Sequence, residues 1–125
     1  QYIPKAIEVL EVKFSDGEIP KAYNGYISTF GASILQAGLK PTLALFENNQ
    51  AQTENDRTIL TKIILKILDS NTQETSLLRY VINSNQDEDI LQSKIVDIAI
   101  AIKLSIRTFK LIDKEEWKMG NLGWI

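Results

Sequence analysis

A chain of 125 residues that is 44% apolar has material for one domain with its own core and is too apolar to stay unfolded. It contains no Cys and no His, so disulfides, thiolate metal sites and imidazole acid–base chemistry are excluded, and a reducing cytoplasm is the expected compartment. The net charge of −2 gives no overall basic field, and neither a secretion signal nor an apolar run of the roughly 18–20 residues needed to span a membrane is visible.

Helical spacing dominates and the alternation of strands is scarce, which predicts an all-α fold: a single compact bundle of about six helices over residues 1–113, with a long C-terminal core helix and an irregular tail over 114–125. The first helix is expected from Ile3 to Phe14, with Ile3, Ile7, Leu10 and Phe14 inward, ending at Ser15-Asp16-Gly17. A second runs from Ile19 to Ala37, with Pro20 in its first turn and Tyr23, Tyr26, Ile27, Phe30 and Ile34 on the buried face. Gly38 suits a left-handed residue past its end, and Pro41 suits the first turn of a short third helix ending at Phe46.

The polar stretch from Asn48 to Glu54 reads as a loop, with Asn55 or Asp56 capping a fourth helix whose apolar residues are Ile59, Leu60, Ile63, Ile64, Ile67 and Leu68. A fifth is expected from Thr75 to Asn83, with Leu77, Leu78, Val81 and Ile82 inward. The sixth and longest should run from Asp87 to about Ile112, burying Ile95, Ile98, Ile102, Ile106 and Phe109. Val96, Ile100 and Leu104 form a second apolar strip on it, either wrapped by neighbours or kept for a partner. The tail carries Trp117 and Trp124 with little periodicity.

Chemistry is sparse. Asp87-Glu88-Asp89 is the tightest acidic cluster, but acids at a helix start complement its dipole, and consecutive helical residues do not converge on one ion. No metal or other cofactor is therefore expected. A carboxylate-dependent hydrolase would require Asp56, Asp69 and Asp87 to Asp89 to converge. The six glycines form no phosphate loop, and Ser28, Thr29 and Ser33 have no base beside them, so no enzyme activity is expected.

The basic residues say more. Lys103, Arg107, Lys110 and Lys114 recur at four, three and four, which on a continuous helix makes a ridge suited to nucleic-acid phosphates. Lys62 and Lys66, with Arg57 nearby, form a second basic group on the fourth helix. The plain alternative is a solvated helix face whose cations complement the dipole.

The segment Tyr23 to Phe46, YNGYISTFGASILQAGLKPTLALF, resembles the Cmr small-subunit family of type III-B CRISPR effector complexes. The resemblance is carried by Tyr23 and Tyr26, the Gly38-Leu39 corner, then Thr42, Leu43, Ala44 and Phe46, which serve as a structural motif. The stretch IVDIAIAIKLSIRTFKL is also similar to the closing helix of that family. Two features depart from the pattern: Ile102, Lys103 and Leu104 stand where a tryptophan is expected, and the tail with Trp117 and Trp124 extends beyond it.

The resemblance implies a non-catalytic subunit in antiviral defence that stacks in a short filament beside guide and target RNA. Its partners would be a large polymerase-like subunit, a backbone subunit and further copies of itself, with no membrane and no cofactor. The other reading left open by the residues is a helical dimerisation module that never touches nucleic acid.

Overall fold

The computed structural model describes residues 1–48 and 56–113. Pro4 lies in the first turn of α1 (Ile3–Lys13), where a missing N–H has no helical partner to lose. Ala6, Leu10 and Phe14 descend one face at steps of four and are buried, while Ile3 flanks them half-buried. After a turn at Gly17 the chain is extended in β1 (Glu18–Pro20), so the second helix begins three residues later than its spacing predicts. Pro20 ends this short strand, where no ladder donor is required of it.

The partner of β1 comes from the far end of the domain. β2 (Lys110–Ile112) pairs with it in parallel, Glu18 opposite Lys110, Ile19 opposite Leu111 and Pro20 opposite Ile112. The amide of Lys110 donates to the carbonyl of Gly17 at 3.0 Å, and that of Lys21 to Ile112 at 2.8 Å. Ile19, Pro20 and Ile112 are buried, and that burial is the gain that draws both segments out of helix, while Lys110 stays exposed on the outer side of the pair.

α2 (Ala22–Ala37) buries Tyr23, Ile27, Phe30 and Ile34 at steps of four, three and four, with Tyr26 half-buried. At the corner Gly38 adopts φ 95° and ψ 167°, a conformation open essentially to glycine alone and more extended than the left-handed turn expected there. Its carbonyl accepts the Thr42 amide at 3.4 Å, the first helical bond of α3 (Leu39–Phe46), and the Thr42 hydroxyl at 2.8 Å, so the helix begins two residues before Pro41. Leu39, Thr42, Leu43 and Phe46 are buried, and Phe46 meets Phe30 edge-on with centroids 5.2 Å apart.

α4 (Thr58–Leu68) is started by Asp56, whose Oδ1 accepts the amide and the hydroxyl of Thr58. The alternative cap, Asn55, lies outside the described residues. α4 buries Leu60, Ile63, Ile64 and Ile67 as its pattern predicts, and Thr61 and Leu65 besides, because α1, α5 and α6 all pack on it. α5 (Leu77–Asn83) begins at a Ser76 cap and buries Leu77 and Val81. Ile82, expected inward, is 56% exposed, since a helix of barely two turns turns only one edge to the core.

α6 (Glu88–Ile106) is the central element, packed against α1, α2 and α4 and capped by Asp87, which accepts the Asp89 amide at 2.8 Å. Leu91, Ile95, Ile98, Ile102 and Ile106 are buried along it. It ends six residues before the expected Ile112. The Thr108 hydroxyl donates back to the Ser105 carbonyl at 2.8 Å, the next amides close tighter turns, and β2 follows. Phe109 is therefore half-buried beyond the helix and not part of its face.

Candidate nucleic-acid interface

The end of α6 decides what becomes of the basic ridge. Lys103 and Arg107 keep their spacing of one turn on the same side of the helix, Arg107 being its C-cap. Among the described residues neither forms an ion pair with a carboxylate. Lys110 no longer extends their line: it stands in β2, and its ammonium faces Glu18 at 3.8 Å, across the strand pair. Lys114 lies outside the described residues, as do Trp117 and Trp124. Among the described residues the ridge expected from spacing is thus corrected to the two-residue step Lys103–Arg107, because the strand replaces the last turns of the helix.

Arg57 is occupied elsewhere. Its guanidinium lies over the Phe46 ring at 4.8 Å from the centroid and donates to the Leu45 carbonyl at 3.3 Å, so it closes the end of α3. Lys62 and Lys66 project from α4 toward α1 and line a groove together with Lys5 and Lys13. The α1 lysines carry no signal of their own in the sequence. Each looks like an ordinary solvated charge until helix packing sets it opposite α4.

The acidic residues are used locally. Asp56 starts α4, Asp69 accepts the Tyr80 hydroxyl at 3.1 Å, Asp87 caps α6, and Glu88 pairs with Lys40 at 3.0 Å. Asp56 and Asp69 lie at opposite ends of α4, Asp87 and Glu88 at the start of α6, and among the described residues no group of three or more acids is placed to hold a metal ion.

The motif residues Tyr23, Tyr26, Gly38, Leu39, Thr42, Leu43 and Phe46 build the α2–α3 corner, while Ala44 is exposed on its outside. The Tyr23 hydroxyl donates to the Asp56 carbonyl at 2.9 Å, and Tyr26 meets the Tyr23 ring edge-on at 5.6 Å. Burial raises the Tyr23 phenol well above its ordinary pKa, with the Asp56 charge and Tyr26 adding to the rise. Tyr80 is raised as well, first by burial and then by its hydrogen bond to Asp69.

Two apolar positions of the second strip on α6 face outward: Ile100 is 53% and Leu104 43% exposed, beside Tyr2 and Ile3. Among the described residues no helix is long and apolar enough to cross a membrane. A family model described as CRISPR-associated protein (Cas_Cmr5) matches residues 3–101. The match covers α1 through most of α6 and stops short of Lys103 and Arg107. No curated protein and no solved structure matches the chain.

Proposed function

The chain belongs to the CRISPR-associated Cmr5 family, and from that premise we propose that it is the non-catalytic small subunit of a type III-B RNA-guided effector complex, holding RNA by its phosphates while other subunits cut. Lys103 and Arg107 carry the RNA reading: two cations one turn apart, aligned on one side of α6 and without carboxylate partners among the described residues. Such a pair recognises phosphate without reading bases. Stacking of copies in a filament would use the apolar residues that α6 leaves outside, in a head-to-tail contact between unlike faces.

The experiment is co-purification of this subunit with the large and backbone subunits and guide RNA, before and after reversal of charge at Lys103 and Arg107. Loss of RNA with retention of the protein partners is the expected result. Retention of both overturns the assignment of these two residues. A second reading, a dimerisation module, is favoured by the exposure of Ile100 and Leu104. It predicts a dimer of the isolated chain that Leu104→Glu dissociates and no co-purifying RNA.

A further inference from the structure

Between α1 and α4 the surface opens into a groove of about 550 Å³. Its floor is apolar, with Val9 and Val12 on α1 facing Ile59 and Ile63 on α4. Val12 is 79% exposed, the most exposed large apolar side chain among the described residues. Around this floor stand Lys5 and Lys13 on one wall and Lys62 and Lys66 on the other, against the single carboxylate of Glu8, which already pairs with Lys5 at 3.6 Å. Among the described residues Lys13, Lys62 and Lys66 have no ion pair.

We propose that this groove docks one amphipathic α-helix with acidic flanks, presented by a protein partner. Charge complementarity selects the occupant together with the floor. A phosphate backbone would neutralise the lysines and leave the valines in water, whereas a helix with an apolar stripe covers Val9 and Val12 and brings acids to both walls. The length also fits: from Lys5 to Lys13 is eight residues, about 12 Å of helix, enough for two turns of a docked helix anchored at i, i+4 and i+7. The site uses none of Lys103, Arg107 and Lys110, so it goes beyond the RNA-binding reading and stands or falls without it.

The test is fluorescence anisotropy on the full chain with three labelled probes: a blocked synthetic peptide with leucines at helical spacing flanked by glutamates, a peptide of the same composition with its leucines dispersed, and a single-stranded RNA. The ordered peptide is expected to bind about tenfold or more tighter than the dispersed one. Lys62→Glu with Lys66→Glu should weaken it by about tenfold, and Val12→Ser by about fifteenfold, the contribution of its two methyl groups. All three positions are exposed, and an unchanged urea midpoint shows that the variants are folded. Equal binding of the two peptides, or indifference to Val12→Ser, overturns the proposal. So does RNA binding that the double charge reversal abolishes and Val12→Ser leaves intact, which makes the groove a phosphate site. A dimer of the chain lost in Val12→Ser, with no peptide bound, overturns it in favour of a second copy.

Discussion

Glu47, just past the end of α3, holds the start of α5 from 29 positions away: its Oε1 accepts the Ser76 hydroxyl at 2.6 Å, and its Oε2 accepts the Leu77 amide at 2.9 Å. Ser76 in turn accepts the Arg79 amide at 3.1 Å, so one carboxylate orients the cap of a helix only seven residues long. Helices that short do not persist on propensity. Glu47→Ala is expected to cost about 1–3 kcal/mol in urea unfolding, from a lost charged hydrogen bond and an uncapped helix. Native-state hydrogen exchange should show the amides of α5 losing protection before those of α6. Equal loss in both helices would show that Glu47 stabilises the domain in some other way.

Gly38→Ala isolates backbone strain at the α2–α3 corner. An added Cβ would meet nothing nearer than the Pro41 Cδ at 3.8 Å, so sterics do not oppose it. The cost is the conformation itself, about 1–3 kcal/mol for a side chain held at φ 95° and ψ 167°. Asn, which tolerates the left-handed helical region, should not rescue the position, because ψ here is extended. Denaturant midpoints of the two variants within a few tenths of a molar of wild type would contradict this account.

What could be read from the sequence was whatever a helix repeats. The faces of α2 and α4 and the Gly38 corner follow from three- and four-residue spacing and from Gly and Pro at the joints. The strand pair could not be read that way: three residues have no period, and Glu18 and Lys110 become neighbours only when the domain closes. The helical pattern through Ile106 and Phe109 even argued for continuing α6, since nothing local announces that Ile112 is needed beside Pro20. The Glu47–Ser76 contact and the meeting of the α1 and α4 lysines around one groove are hidden for the same reason. They are properties of packing between elements, not of any one element.

Tyr23 makes stability fall at alkaline pH. Its phenol is buried in the fold and keeps its proton above the ordinary value of 10.0, whereas in the unfolded chain it ionises near that value. The folded state therefore binds more protons above about pH 10, and stability declines there by at most about 1.4 kcal/mol per pH unit for this one group. Below that pH the contribution is fully present. Tyr23→Phe loses the bond to the Asp56 carbonyl, about 0.5–1.5 kcal/mol at neutral pH, and should flatten the decline between pH 10 and 11. Parallel stability curves for wild type and variant across that range would assign the alkaline loss to other groups.

Lys103, Arg107 and Lys110 should not contribute equally to RNA retention. Each phosphate neutralised lowers the logarithm of the binding constant with the logarithm of salt by roughly 0.7–0.9, so removing two contacts reduces the slope by about 1.4–1.8. Lys103→Glu with Arg107→Glu is expected to produce that change in the assembled complex. Lys110 already faces Glu18 at 3.8 Å, and much of its field is spent on that carboxylate. Lys110→Gln should therefore move the slope by well under one phosphate. Exposed ion pairs contribute about 0–1 kcal/mol, so losing this one leaves β1 and β2 paired and the fold intact. The measurement is RNA binding by the complex over a salt series, with the three variants compared at equal occupancy of subunits. A Lys110→Gln slope reduced by a full phosphate, about 0.7–0.9, would mean that RNA displaces Glu18 and that the strand edge belongs to the interface.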